Sequence, residues 1–504
     1  MPSEASLGPW IAAQRWFAGK AHAITALAID DRIPLGDSVV LLVTVTLDDG
    51  SRQRYAVPLV ADRDDALDHP GYTQALAALV ADGGHVRGAR GEIVGQPTRA
   101  FPRALGAAER GALGAAERGA LGAAERGALG AAERGALDRP PSVRRLAGEQ
   151  SNTSVVVGGQ LILKHFRRLA DGRSPDEEIG RFLTERAAFV SAPRLAGHVE
   201  YRRDGHVTTL AVVHELVGGA EDGWQWMLGA LRGVYEAAAG QPQAPDPGGV
   251  SEIAGVTLDA LARLGTVTAE LHLALASDRD DPAFAPQPIT AADVAAWTRA
   301  IERQLDEAHR VLGDRPRLDV PDAAGRLGGI GPALGGLIGR DRIRHHGDYH
   351  LGQTLLRAGR DRDAPERRAD APEWMIIDFE GEPLRSLEER RAKHAALRDV
   401  AGMLRSIDYA AVSAMPPGMD AWARAWERQA ARAFTEAYRA RARGAAFLPR
   451  TEAAFEQAVA AFVLEKAAYE VVYEASHRPA WLPIPLGGLS RALATLTGRP
   501  AGAA

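Results

Sequence analysis

The sequence predicts an α+β protein with a β-rich amino-terminal half and a mainly helical carboxy-terminal half. Three observations carry this reading. Short apolar runs separated by turn signals fill the first 217 residues: VVLLVTVT at 39–46 before LDDGS, SVVV at 154–157 before Gly158-Gly159 and QLILKHF, and VTTLAVVH at 207–214. From about residue 251 the apolar positions recur at helical spacing, as in Ile253, Val256, Leu261, Leu264, Val267, Leu271 and Leu275. One strand-like run, WMIIDF at 374–379, interrupts the helices.

Taken in order, 39–46 and 55–60 form a strand pair, and 72–81 forms a short helix. Residues 104–135 are four identical copies of ALGAAERG. An eight-residue period turns Leu105, Leu113, Leu121 and Leu129 by about 80° per copy on a helix, so no apolar stripe persists. The repeat therefore reads as a spacer within a linker at 104–138. Residues 154–166 read as a tight hairpin. Trp422, Trp426, Phe434 and Tyr438 mark one later helix, and 452–475 marks the last strong one. The polar, proline-containing stretch at 357–373 reads as a loop.

The chain has 504 residues, a formal charge of −5, 46% hydrophobic and 25% charged residues. This is the composition of a globular protein with a sizeable core. A slightly acidic balance gives no footprint for nucleic acid. The absence of cysteine excludes disulfides, thiolate metal sites and a cysteine nucleophile. No run of 18 apolar residues occurs and the start lacks a signal-peptide layout, so a cytoplasmic protein without a membrane span is expected. Only four lysines occur, Lys20, Lys164, Lys393 and Lys466, and one asparagine, Asn152. Where arginine has replaced lysine almost throughout, a remaining lysine marks a site that requires a compact charge on a flexible stem.

Two clusters carry chemistry. The first is HHGDYHLGQ at 345–353, followed by Ile377-Asp378-Phe379-Glu380. Asp348 can accept a proton from a nucleophile, and Gln353 and Asp378 offer oxygen ligands suited to Mg²⁺. Acceptor, carboxylate and hard cation are the parts of phosphoryl transfer. The rival, a zinc site on His346 and His350, lacks the HEXXH pattern. The second cluster is GEQSNTS at 148–154, which runs into the hairpin that bears Lys164. Small polar residues between strands can present N–H groups and hydroxyls to phosphates, and Glu178 can pair with Lys164 and orient it. The alternative is an ordinary surface ion pair.

Together with QRWFAGK (14–20), LRDVAGMLRSIDYAA (397–411) and EKAAYEVVYEASHRPAWLPIPL (465–486), these segments resemble the maltokinases, found alone or fused to trehalose synthase. That family lies in the aminoglycoside-phosphotransferase-like branch of the protein-kinase-like fold. The resemblance covers nearly the whole chain. It implies a bilobal fold: a cap at 1–103, the 104–138 linker, a nucleotide-binding lobe at 139–217 and a helical lobe at 218–504 that holds the catalytic loop and sugar site. It implies ATP and Mg²⁺ as cofactors and maltose, phosphorylated at its anomeric hydroxyl, as substrate. Glucosamine or another small sugar is the alternative acceptor, and a pseudokinase partner of trehalose synthase is a further one. A monomer that binds a small sugar is expected.

The resemblance also implies residue roles. Asp348 is the catalytic base. Gln353, Asp378 and Glu380 hold the metal. Gln150, Ser151, Asn152, Thr153, Ser154, Lys164 and Glu178 bind ATP, and Glu215 lies in the hinge that meets adenine. His350, Lys466, Tyr469, Tyr473, Arg478 and Trp481 are the sugar-site residues. The other reading of the last helix makes its tyrosines core residues and pairs Lys466 with Glu470. Lys20 has no derivable role, and Lys393 is expected to be solvated.

Overall fold

The computed structural model describes residues 4–60, 64–101, 142–146, 151–240, 246–313, 329–357, 373–383 and 385–498. The octad repeat, Gln150 and most of the 357–373 excursion lie outside them. The chain divides into two compact units, Met1–Gly218 and Gly219–Ala504.

The first unit holds two antiparallel sheets. Strands β1 (Ile24–Leu35), β2 (Ser38–Leu47) and β3 (Arg52–Val60) form consecutive hairpins, extended by β4 (Asp64–Asp65). The second sheet has the order β5-β6-β11-β12-β9-β8-β7. Its strands are β5 (His85–Arg87), β6 (Glu92–Pro97), β7 (Val143–Arg145), β8 (Asn152–Val157), β9 (Leu161–Phe166), β11 (Leu195–Arg203) and β12 (His206–Glu215). Strand β10 (Arg168–Leu169) continues from β9 and pairs with β3, tying the two sheets together. The boundary expected at residue 103 therefore falls after two strands, β5 and β6, that already belong to the second sheet.

Strand β2 reads as a continuous apolar run because both its faces are covered. Val39, Leu41, Val43, Val45 and Leu47 pack with Leu7 and Ile11 of helix α1 (Glu4–Ala13) and with Trp16 and Phe17. Val40 and Leu42 face the other way, onto Leu67, Tyr72 and Leu76 and onto Val155 and Leu163 of the second sheet. Helix α2 (Pro70–Ala81) supplies Tyr72 and Leu76. Gly158 and Gly159, at φ 61° and 69°, make the left-handed turn between β8 and β9 that the expected hairpin requires. Helix α3 (Pro175–Glu185) starts at the Ser174 cap with three acidic residues in its first turn, Asp176, Glu177 and Glu178.

The second unit is mainly helical: α4 (Gly223–Ala238), α5 (Pro247–Leu275), α6 (Ala291–Leu312), α7 (Ile330–Gly335), α8 (Leu387–Arg391), α9 (Leu397–Ser413), α10 (Asp420–Arg441), α11 (Glu452–His477) and α12 (Pro483–Thr497). Helices α5 and α10 approach closely at Gly265, where a Cβ would stand 2.2 Å from the Phe434 carbonyl. Trp426 Nε1 donates to Thr257 Oγ1 across the same contact, at 2.8 Å. Strand β13 (Ala220–Asp222) pairs with β16 (Thr354–Arg357), and β16 pairs with β17 (Glu373–Ile376), the expected WMIIDF strand. The two-residue strands β14 (Gln287–Pro288) and β15 (Asp341–Arg342) pair with each other. Among the described residues no helix is long and apolar enough to cross a membrane.

Candidate active site

The loop that bears Asp348 is held from beneath by a buried carboxylate. Asp399, in the first turn of α9, accepts the backbone N–H of His346 at 2.8 Å and of Gly347 at 3.0 Å. It also accepts Nε2–H of His272 at 2.9 Å, and Nδ1 of that ring takes the Tyr438 hydroxyl at 2.9 Å. Burial raises the Asp399 pKa, but the histidines packed on it and the His272 hydrogen bond outweigh that and hold the carboxyl below the usual range. Three donors therefore converge on one ionised group, and the loop backbone is two of them. Gly347 sits at φ 86°, a conformation that favours glycine at the turn into Asp348.

His346 carries the loop across to the end of the β16–β17 hairpin. Its Nδ1 takes the Asp348 N–H at 3.4 Å, and its Nε2 donates to the Ile377 carbonyl at 2.9 Å. The Ile377 N–H donates to the Gln353 carbonyl at 3.0 Å, which extends the ladder by one rung. Gln353 and Asp378 therefore stand at one end of the same hairpin, and both carry oxygen donors of the kind a hard cation takes. Asp378 lies at φ 65°, in the left-handed region that aspartate and asparagine enter more readily than other side chains. Two residues on, Arg390 Nη1 donates to the Glu380 carbonyl at 3.1 Å and stands 3.7 Å from its carboxylate. Both nitrogens of His346 are committed within the protein, so the histidine-pair metal reading finds no free ligand there.

Asp348 opens on a cavity that Glu382, Arg385, Arg398, Lys466 and Tyr469 also line. Lys466 Nζ lies 3.3 Å from Asp348 Oδ1 and 3.0 Å from Glu382 Oε1. Burial lowers the lysine pKa, but Glu382 and Asp348 raise it further, so the group stays an ammonium. Glu382 is driven down to about 2: burial pushes it up, and Lys466, Arg398 and Arg385 outweigh burial. The alternative partner of Lys466, Glu470, instead takes Arg405 Nε at 2.8 Å. Burial depresses the His350 pKa, and its Nδ1 takes the Gly352 N–H at 3.1 Å.

The sugar-site expectation divides along α11. Lys466 and Tyr469 reach the cavity; Tyr473, Arg478 and Trp481 do not line it. Tyr473 stacks on His477 at 4.5 Å, and the Arg478 guanidinium lies 5.5 Å from the Tyr473 ring and 4.6 Å from Trp481. The i, i+7 spacing places Tyr473 on the same face as Lys466 but about 10 Å further along the axis. Lys393 also departs from expectation. Its ammonium donates to the carbonyls of Pro282 at 2.7 Å and Ala285 at 2.6 Å rather than standing in solvent.

In the first unit, Lys164 pairs across the ladder with Ser154 and Val212. Its Nζ meets Asp176 Oδ2 at 3.1 Å, a residue the sequence reading had not singled out. The expected partner, Glu178, is buried in the same first turn of α3. Asp176 also stands 3.5 Å from His214 Nε2. The run 152–154, read as a loop, is the start of β8 and buried. Strand alternation puts Thr153 on the face opposite Ser154 and Lys164, where its hydroxyl accepts from Arg167 Nε at 2.9 Å. Ser151 is exposed. The Glu215 carboxylate meets Arg194 Nε at 3.1 Å, at the end of β12.

The sequence profile of the maltokinase N-terminal cap domain matches residues 10–90. A glucosamine kinase of Streptacidiphilus jiangxiensis is 30% identical over 351 residues, which is 68% of this chain and 71% of that protein. A glucosamine kinase of Mycolicibacterium smegmatis is 29% identical over 352 residues, 68% of this chain and 77% of that protein. A solved glucosamine kinase in complex with glucosamine, ADP and inorganic phosphate superimposes with a TM-score of 0.60 at 25% identity, over 97% of this chain and 99% of that one. With its maltokinase-type cap and its likeness to these enzymes over two thirds of the sequence, the chain belongs to the sugar-kinase family that contains the glucosamine kinases.

Proposed function

We propose that the protein transfers the γ-phosphoryl group of ATP to a hydroxyl of an amino sugar, glucosamine first. The observation that carries this is the cavity at Asp348. Its wall holds the carboxylates Asp348, Glu382, Asp399 and Glu465 against the cations Arg385, Arg398 and Lys466, an excess of one negative charge. Such a wall tolerates the ammonium of an amino sugar. The full-length likeness to a glucosamine kinase solved with glucosamine, ADP and inorganic phosphate supports the same reading.

The roles follow from the residues. Asp348 takes the proton as the acceptor oxygen bonds to phosphorus and the bridging P–O bond to ADP breaks. Lys164, a compact charge, binds phosphate oxygens and is oriented by Asp176. Gln353 and Asp378 would hold Mg²⁺, which supplies charge neutralisation on the phosphates. A second reading, maltose as acceptor, is favoured by the cap match at residues 10–90. ADP release measured with glucosamine, glucose and maltose, with the product read by phosphorus NMR, separates the two. Turnover of maltose without turnover of glucosamine overturns the first reading.

A further inference from the structure

Glu382 lies just beyond β17, and neither the motif reading nor the proposed chemistry gives it a task. Its carboxylate bonds Arg385, stands 3.0 Å from Lys466 Nζ and lies 3.9 Å from Arg398. Arg398 is held in turn by Glu465 at 3.1 Å. Lys466 is thus suspended between two carboxylates, and only Asp348 belongs to the reaction.

We propose that Glu382 is a positioning residue for the catalytic base: it holds the Lys466 ammonium against Asp348 Oδ1, leaving Oδ2 to take the acceptor's proton. This rests on the sugar-kinase reading of the same cavity. A lysine on a four-carbon stem is a flexible partner and would follow any rotation of the Asp348 carboxylate. A second anchor at 3.0 Å makes the ammonium a fixed point. Glu382 can serve as that anchor because the two arginines keep it from following the lysine. Asp348 is held from both sides, its backbone through the Asp399-bound loop and its carboxylate through Lys466. The acceptor O–H proton goes to Oδ2; Lys466 keeps its own protons and only donates a hydrogen bond.

The test uses the full chain and the variants Lys466→Met, Glu382→Gln and the double variant. Lys466→Met lowers kcat about 10–100-fold, the scale of a slightly misplaced group, with KM for sugar and ATP held within about twofold. Glu382→Gln lowers kcat by a smaller factor and adds nothing on the Lys466→Met background. A rise in sugar KM with kcat kept makes Lys466 a substrate contact and overturns the proposal, as do additive losses in the double variant. One arm needs no turnover. With four lysines in the chain, an ε-¹³C-lysine NMR spectrum is simple. The Lys466 signal shifts in Asp348→Asn and in Glu382→Gln, while those of Lys20 and Lys164 stay. An unmoved Lys466 signal in Glu382→Gln overturns the anchor. If the signal shifts in both variants while the wild-type protein is inactive on every sugar, the sugar-kinase reading is overturned instead.

Discussion

Lys164 and Lys466 both meet carboxylates, but their surroundings differ in kind. Lys164 stands on an inner strand of a seven-stranded sheet, between Ser154 and Val212 on the neighbouring strands. Register alone fixes its direction, and Asp176 then has only to meet it. Lys466 stands on a helix, where spacing fixes the face but leaves the long side chain free to swing. There the protein uses carboxylates from two separate loops, Asp348 and Glu382, to hold one ammonium. The sheet holds a group through backbone pairing, and the helical unit holds one through a network of side chains. Loss of a single side chain should therefore spread further in the second unit than in the first.

The largest effect is expected at the carboxylate that Lys466 meets in the second unit. Asp348→Asn keeps the shape of the base and loses its proton affinity, so kcat should fall by roughly 10²–10⁴ with KM for ATP little changed. Near-normal turnover would remove Asp348 from the reaction.

Lys164→Met tests the sheet side. A charge-assisted contact to phosphate is worth about 1.5–3 kcal/mol, so KM for ATP should rise about 10–150-fold while KM for sugar stays put. A rise in both would show that the strand-borne lysine does not act on the nucleotide alone.

The two regions were unequally legible in the sequence. Short apolar runs bounded by LDDGS and Gly158-Gly159 located β2, β8 and β9 to within a residue or two, because both signals are local. Local signals do not rank partners. Asp176, Glu177 and Glu178 are consecutive, each turned 100° from the last on α3, and nothing in their spacing says that Asp176 meets Lys164. The HGD loop was legible as chemistry, yet its support was not. Asp399, His272 and Tyr438 come from three helices more than 25 residues apart in sequence and are joined only by tertiary packing. Lys393 was misread for a related reason: its acceptors are backbone carbonyls, which no residue type announces.

Acid stability sharpens the contrast. Glu382 is held at about 2 in the fold, against an ordinary glutamate value near 4.5. A depressed carboxyl contributes stability above its unfolded pKa, and that contribution is lost as pH falls through the folded value. Between roughly pH 4.5 and 2 the wild type should lose about 3 kcal/mol more than Glu382→Gln, on the scale of 1.36 kcal/mol per unit. Parallel acid-unfolding curves for the two proteins would show that the network around Lys466 is not held by this charge.

Along α11 the expected effects shrink with distance from the cavity. Tyr469 lines it, with Lys466 Nζ 5.1 Å from its ring, whereas Tyr473 stacks on His477 and lies 5.5 Å from the Arg478 guanidinium. Tyr469→Ala should raise KM for glucosamine about 5–30-fold, the cost of a lost contact of about 1–2 kcal/mol. Tyr473→Ala should change it less than about twofold. A loss at Tyr473 confined to maltose would favour an acceptor with a second ring reaching that far.

The smallest effect is expected where neither device operates. Deleting residues 112–135 removes three of the four octads and should change kcat/KM by less than about twofold for either substrate. The eight-residue period of the octads builds no apolar stripe in the sequence. Residues 102–111 and 136–142 remain between the buried Phe101 and strand β7, and seventeen residues can span roughly 55 Å when extended. The sheet that carries Lys164 should then keep both its inner strand β6 and its edge strand β7. Kinetics and thermal unfolding of the deletion variant check this together. A variant that folds but loses ATP affinity would tie the repeat to the sheet side of the comparison. One that loses only sugar turnover would tie it to the helical side.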